Sequence, residues 1–162
     1  MGRFDGLEEI EALREYMKVL LKDFHVNSYR DIIFAIIVLG QYFLYTFYDE
    51  RCGKTDNRKF YATGVDCVRK LNNVNFIYLL AQARNLIVHG PRGEALKIAK
   101  ELCNCWNKFD KSWMDSLDSD IWAAITYTMQ ADKEWDKLFK LLEDTSEEND
   151  GFLAGAGFMV GI

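Results

Sequence analysis

The chain has one proline, Pro91, in 162 residues. Proline removes a backbone donor and ends or kinks helices, so few positions here interrupt a long helix. That scarcity favours an all-helical chain. Histidine occurs only twice, as His25 and His89. The four cysteines, Cys52, Cys67, Cys103 and Cys105, follow no secretory signal: the first residues, MGRFDGLEEIEALREY, are charged and lack an apolar core. The expectation is a cytoplasmic chain with free thiols in a reducing compartment. Cys103-Asn-Cys105 is not a usual finger or ribbon spacing, and His25 lies far away in sequence, so neither a metal nor a cofactor is expected. Internal repeats are absent.

Hydrophobic residues make up 49% of the chain, aromatics 14% and charged residues 28%, a globular rather than a disordered composition. A chain of this length fits one domain and buries roughly 70% of its unfolded surface. The net charge of −5 does not by itself suggest a nucleic-acid binder. Its distribution is more informative. Residues 1–50 hold 5 basic against 9 acidic side chains, residues 51–100 hold 10 against 3, and residues 101–162 hold 5 against 13. The middle third is therefore basic, and a local positive field can attract a polyanion because charges beyond about 8–10 Å are largely screened.

Hydrophobic periodicity predicts a helix over 8–24, with Leu7, Ile10, Leu13, Met17, Leu20 and Leu21 on one stripe. A second helix is expected over 29–50, capped by Ser28 with Asp31 at its third position. Its centre, Ile32 to Tyr48, runs 17 residues without a charge, at the short edge of a transmembrane span of about 20. Gln41 sits mid-run and the aromatics form no two belts, so a central bundle helix explains it as well. A third segment over 61–71 and a break at NNVN follow. Further helices are expected over 75–89, 93–109, 113–130 and 133–142. Gly90 would stop the first of these, with Pro91 just beyond. EDTSEENDG reads as a solvated acidic stretch, and the glycine-laced GFLAGAGFMVGI has no assigned place. The expected fold is all-α: an up-and-down helical bundle over 1–110, with C-terminal helices and an acidic tail over 111–162 packed on the same domain.

Within this pattern LLAQARNLIVHG, Leu79 to Gly90, sets an arginine, an asparagine and a histidine in an apolar run. At about 100° per residue, Leu79, Leu80, Ala83, Leu86 and Ile87 share one side of the helix. Arg84, Asn85, His89 and Gln82 take the other, which reads as a polar face turned away from the core. Asn85 and His89 are one turn apart and can touch. A basic residue and a histidine near a helix C-terminus also interact favourably with the helix dipole, at roughly 0.3–1 kcal/mol each, without any function.

Arg84-Asn85-Leu86-Ile87-Val88-His89 resembles the R-N-x-x-x-H signature of the HEPN (higher eukaryotes and prokaryotes nucleotide-binding) ribonuclease superfamily. The resemblance covers Leu7 to Phe109 and excludes the segment from Lys111 onward. It implies a metal-independent endoribonuclease in which the RNA 2′-hydroxyl attacks the neighbouring phosphate. Histidine, with a pKa near 6.5, suits the proton transfers, and the arginine fork matches phosphate oxygens. By resemblance, His89 is the acid/base, Arg84 the phosphate clamp, and Asn85 orients the imidazole or the substrate. One histidine does not easily serve as base and acid in one step. The resemblance therefore implies a homodimer with two motifs at its seam. It also implies an RNA substrate, a toxin or antiviral defence role, and a protein inhibitor or activating partner.

Many toxin members carry a tyrosine two residues after the histidine; that position here is Pro91. A supporting charge from an earlier helix has three candidates, Asp49, Arg51 and Arg69. His25 reads as a loop histidine. Two other readings stand beside the ribonuclease. One is a non-catalytic HEPN-like RNA- or nucleotide-binding or adaptor module of a larger assembly. The other is a membrane-associated chain spanning at Ile32 to Tyr48.

Overall fold

The computed structural model describes residues 7–47, 75–108 and 110–152. Among these residues it contains six α-helices and one 3-10 turn, with no strand. The chain is an all-α helical bundle, as its periodicity predicts. The segment expected over 61–71 lies outside the described residues, as do Asp49, Arg51 and Arg69.

Helix α1, Leu7–Leu21, buries Ile10, Met17 and Leu21, which recur at seven and four residues on one stripe. Its outer face carries Lys18, which pairs with Glu15 at 3.0 Å and with Asp118 at 3.2 Å. The chain then turns through Asp23, at φ 55°. The expected cap on the second helix is present. Ser28 Oγ accepts from the Arg30 amide at 3.2 Å, and Asp31 Oδ2 accepts from the Ser28 amide at 3.1 Å. Each side chain satisfies an orphan amide of the helix start. His25, on the connecting loop, is exposed and rests against the Tyr127 ring at 4.9 Å.

Helix α2, Tyr29–Phe47, is the centre of the molecule. Ile32, Ala35, Ile36, Ile37, Val38, Leu39, Phe43, Leu44 and Tyr45 are all buried, so the helix is covered on every side. A helix that is apolar all round needs such an environment. It packs against α1, against α3 (Asn75–His89), and against α5 (Ser119–Met129) and α6 (Asp132–Asp144). That packing accounts for the uncharged run. Among the described residues, no helix is long and apolar enough to cross a membrane.

Helix α4, Arg92–Lys108, lies against α3 on one side and α6 on another. Its buried residues are Ala95, Ile98, Ala99, Leu102 and Trp106, with Leu96 half-buried. The single helix expected over 113–130 is instead broken. A 3-10 turn, Ser112–Ser116, is followed by Leu117 in extended backbone, and α5 begins after Asp118. The Asp118 side chain accepts from the Asp120 amide at 2.9 Å, and this N-cap is what restarts the helix. The corner between α5 and α6 is tied by Trp135 Nε1, which donates to the buried Thr128 carbonyl at 2.8 Å.

Candidate functional site

Helix α3 carries the motif at its C-terminal end. It stops because Gly90 takes φ +77°, a conformation side-chain-bearing residues rarely adopt. The Gly90 amide closes the last turn onto the Leu86 carbonyl at 2.7 Å. Pro91 then supplies the carbonyl that receives the Ala95 amide at 3.1 Å, and α4 starts immediately. This tight corner places Arg92 three residues after His89.

Arg84 is not on a solvent face. It is 1% exposed and among the largest fully buried side chains of the molecule. Asn85 is half-buried and His89 is exposed. The polar face expected from the helical wheel is thus divided between core and surface. The physical reason is that, among the described elements, α3 packs against both α2 and α4, so its buried arc is wider than one partner would make it. Phe76, Ile77, Leu80, Ala81, Ala83 and Ile87 fill that arc with Arg84 among them.

Space for Arg84 comes from Gly40 on α2. A Cβ at Gly40 would collide with Arg84 Cβ, 3.0 Å from Arg84 Cγ and 3.1 Å from the Leu80 carbonyl. A guanidinium stays charged at any ordinary pH and is costly to bury without hydrogen bonds. Arg84 Nη1 donates to Asn85 Oδ1 at 2.8 Å. The acceptor is its own neighbour in sequence, which gives the second motif residue a structural task.

The His89 pKa lies below its ordinary value of 6.5, first because its ring is partly shielded from water and second because Arg84 is close enough to repel the imidazolium. His89 is exposed as a whole residue, so the shielding is one-sided. Both effects favour the neutral imidazole, which can accept a proton at neutral pH. The three motif residues therefore form one electrostatic unit: a buried cation, the amide that holds it, and a neutral ring at the surface edge.

The acidic stretch after α6 is solvated along its side chains, as its composition predicts. Ser146 to Asp150 are exposed, yet their backbone returns to the end of α3. Phe152 donates its amide to the Ile87 carbonyl at 2.9 Å, one of the last carbonyls of the motif helix. Gly151 is buried there, and a Cβ on it would collide with the Val88 carbonyl. Arg92 holds this strap, with its Nη1 3.1 Å from Glu148 Oε2. The only advance signal was an arginine directly after a glycine-proline corner.

Cys103 and Cys105 are free thiols. Burial, with Asp132 and Asp136 nearby, pushes Cys103 up to about 12, and burial also raises Cys105. Among the described residues, no group of three or more histidine, cysteine, aspartate or glutamate side chains is placed to hold a metal ion. No protein-family model, curated protein or solved structure matches the chain.

Proposed function

We propose that this chain is a metal-independent endoribonuclease of HEPN type, acting on RNA by 2′-hydroxyl attack at a site completed by a second copy of itself. The observation that carries the reading is the unit at the end of α3. Arg84 bonds Asn85 at 2.8 Å, and its charge helps keep the exposed His89 neutral. A neutral imidazole is the form that takes a proton from a 2′-hydroxyl. The same effects disfavour the protonated form, so one copy supplies a base better than an acid. One imidazole cannot take the 2′-hydroxyl proton and protonate the leaving 5′-oxygen in the same step, so the reading draws the acid from the His89 of a second copy, which must enter the step in its protonated form.

Burial changes the role proposed for Arg84. A side chain 1% exposed does not present its fork to an incoming phosphate. Arg84 acts instead as a positioning residue, through its charge on His89 and its bond to Asn85. The proposed setting is cytoplasmic, as a toxin or antiviral defence effector under control of a protein partner. The test is cleavage of RNA by purified protein in EDTA, with 2′,3′-cyclic phosphate ends, lost in His89→Ala. An intact dimer that cuts no RNA, together with a His89→Ala variant that matches wild type on induced expression in cells, would sink the reading.

The burial of Arg84 also favours a second reading, a non-catalytic RNA- or nucleotide-binding or adaptor module. Tight binding of RNA without turnover, unchanged in His89→Ala, distinguishes it from the enzyme.

A further inference from the structure

Arg92 devotes its whole side chain to the strap that follows α6. Its Nη1 lies 3.1 Å from Glu148 Oε2, and its Nε donates to the Asp150 carbonyl at 3.1 Å. The guanidinium carbon stands 4.4 Å from the centre of the Phe152 ring. Its backbone amide donates to the Glu148 carbonyl at 3.1 Å. One residue thus binds the strap through a carboxylate, two carbonyls and an aromatic face.

The rest of the attachment is short. The Phe152 amide caps the Ile87 carbonyl, and the close backbone approach depends on two glycines. A Cβ on Gly90 would meet the Asn149 carbonyl, as one on Gly151 would meet Val88. Ser146 to Asp150 are exposed, Gly151 is buried and Phe152 is half-buried. Residues 146–150 carry no apolar side chain, and segments held by few buried apolar contacts open at low free energy. Glu147, Glu148 and Asp150 make the segment an anion. It lies beside the corner that carries His89, and neither Glu148 nor Asp150 is among the charges that shift the His89 pKa.

We propose that residues 146–152 form an acidic latch that competes with an RNA phosphate for Arg92. The idea rests on RNA being the ligand of this site. A carboxylate on a guanidinium is replaceable by phosphate, which offers the same fork-matching oxygens with more charge. The docked latch occupies Arg92 and holds the Glu148 carboxylate, which repels a phosphate, against its guanidinium. Release removes that repulsion and frees an arginine three residues from the proposed base. The latch therefore lowers affinity for RNA at rest, and RNA binding opens it.

The probe is a labelled 2′-O-methyl oligoribonucleotide, which cannot undergo 2′-hydroxyl attack, so binding is read apart from cleavage. Gly151→Ala leaves every charge in place but cannot dock. It should bind the probe about three- to tenfold tighter than wild type at low salt, as expected for one freed phosphate contact. Glu148→Gln should shift binding in the same direction without disturbing the backbone fit. In an Arg92→Ala background, Gly151→Ala should give no gain. Adding the probe to wild type should speed hydrogen exchange at the Phe152 amide. Equal affinity of both single variants and wild type, a gain that persists without Arg92, or unchanged Phe152 exchange would each overturn the latch. Cleavage of unmodified RNA is scored separately: a working latch with no cleavage removes the ribonuclease and leaves the latch, whereas cleavage with no latch effect does the reverse.

Discussion

Gly40 of α2 lies directly against Arg84 of α3, with no room for a Cβ between them. This contact lets a buried arginine occupy the interface between the two helices, and it converts a helical glycine into a requirement of the site. Alanine is ordinarily favoured over glycine in a helix by up to about 1 kcal/mol. Here the added Cβ would strike Arg84 Cβ and crowd the Leu80 backbone, neither of which is the far end of a flexible side chain. Gly40→Ala should therefore destabilise the fold, by about 1–3 kcal/mol as overpacking costs go. Urea unfolding of the purified variant checks this; a stability equal to or above wild type contradicts the contact.

Arg84 and His89 should separate cleanly in their effects on stability. Arg84 fills core volume between α2 and α3, whereas His89 is exposed. Arg84→Ala is expected to lower unfolding free energy by about 2–4 kcal/mol, the range for truncating a large buried side chain. His89→Ala should stay within about 0.5 kcal/mol of wild type, as surface substitutions do. Arg84→Ala is consequently a poor catalytic control. Denaturation midpoints measured side by side decide the matter.

The protonation of His89 gives a pH signature. Its folded pKa is below 6.5, so the unfolded chain takes up this proton at higher pH than the folded chain. Stability contributed through His89 is thus unaffected above 6.5 and falls as pH drops through the window between 6.5 and the folded pKa. Arg84→Met should raise the His89 pKa without returning it to 6.5, because partial burial is the larger cause and remains. Histidine ring shifts followed by NMR titration report both values. A His89 pKa above 6.5 in the wild type is the contrary result.

Cys103 should be chemically quiet. With its thiol pushed up to about 12, almost none is thiolate at neutral pH, and the thiolate is the reactive form. Maleimide labelling followed by peptide mapping should leave Cys103 unmodified in the folded protein and modify it in urea. Rapid native labelling at Cys103 would show that the packing of α6 on α4 does not shield it.

Much of the architecture was legible because it depends on local rules. The Ser28–Asp31 cap, the buried stripe of α4 and the stop at Gly90 all follow from periodicity, capping chemistry and backbone permissiveness. The break before α5 was missed although Asp118 is a good N-cap. Residues 113–130 also carry enough helix-forming side chains to suggest one continuous helix. The uncharged run of α2 could be read as a membrane span or a core helix, and only its neighbours decided. Asn75–His89 was placed correctly as a helix, while its buried side was not, since a wheel has no knowledge of how many partners a helix meets.

By itself the sequence determined most of the described helices, several of their ends, and the spacing that sets Arg84, Asn85 and His89 near one helix terminus. Those features are governed by interactions within a few residues. The tertiary structure decided that Arg84 is buried, that Gly40 makes room for it, and that an acidic segment 58 residues beyond Arg92 in sequence returns to that arginine. Such contacts depend on which helices become neighbours, and that is set by the packing of the whole core around α2.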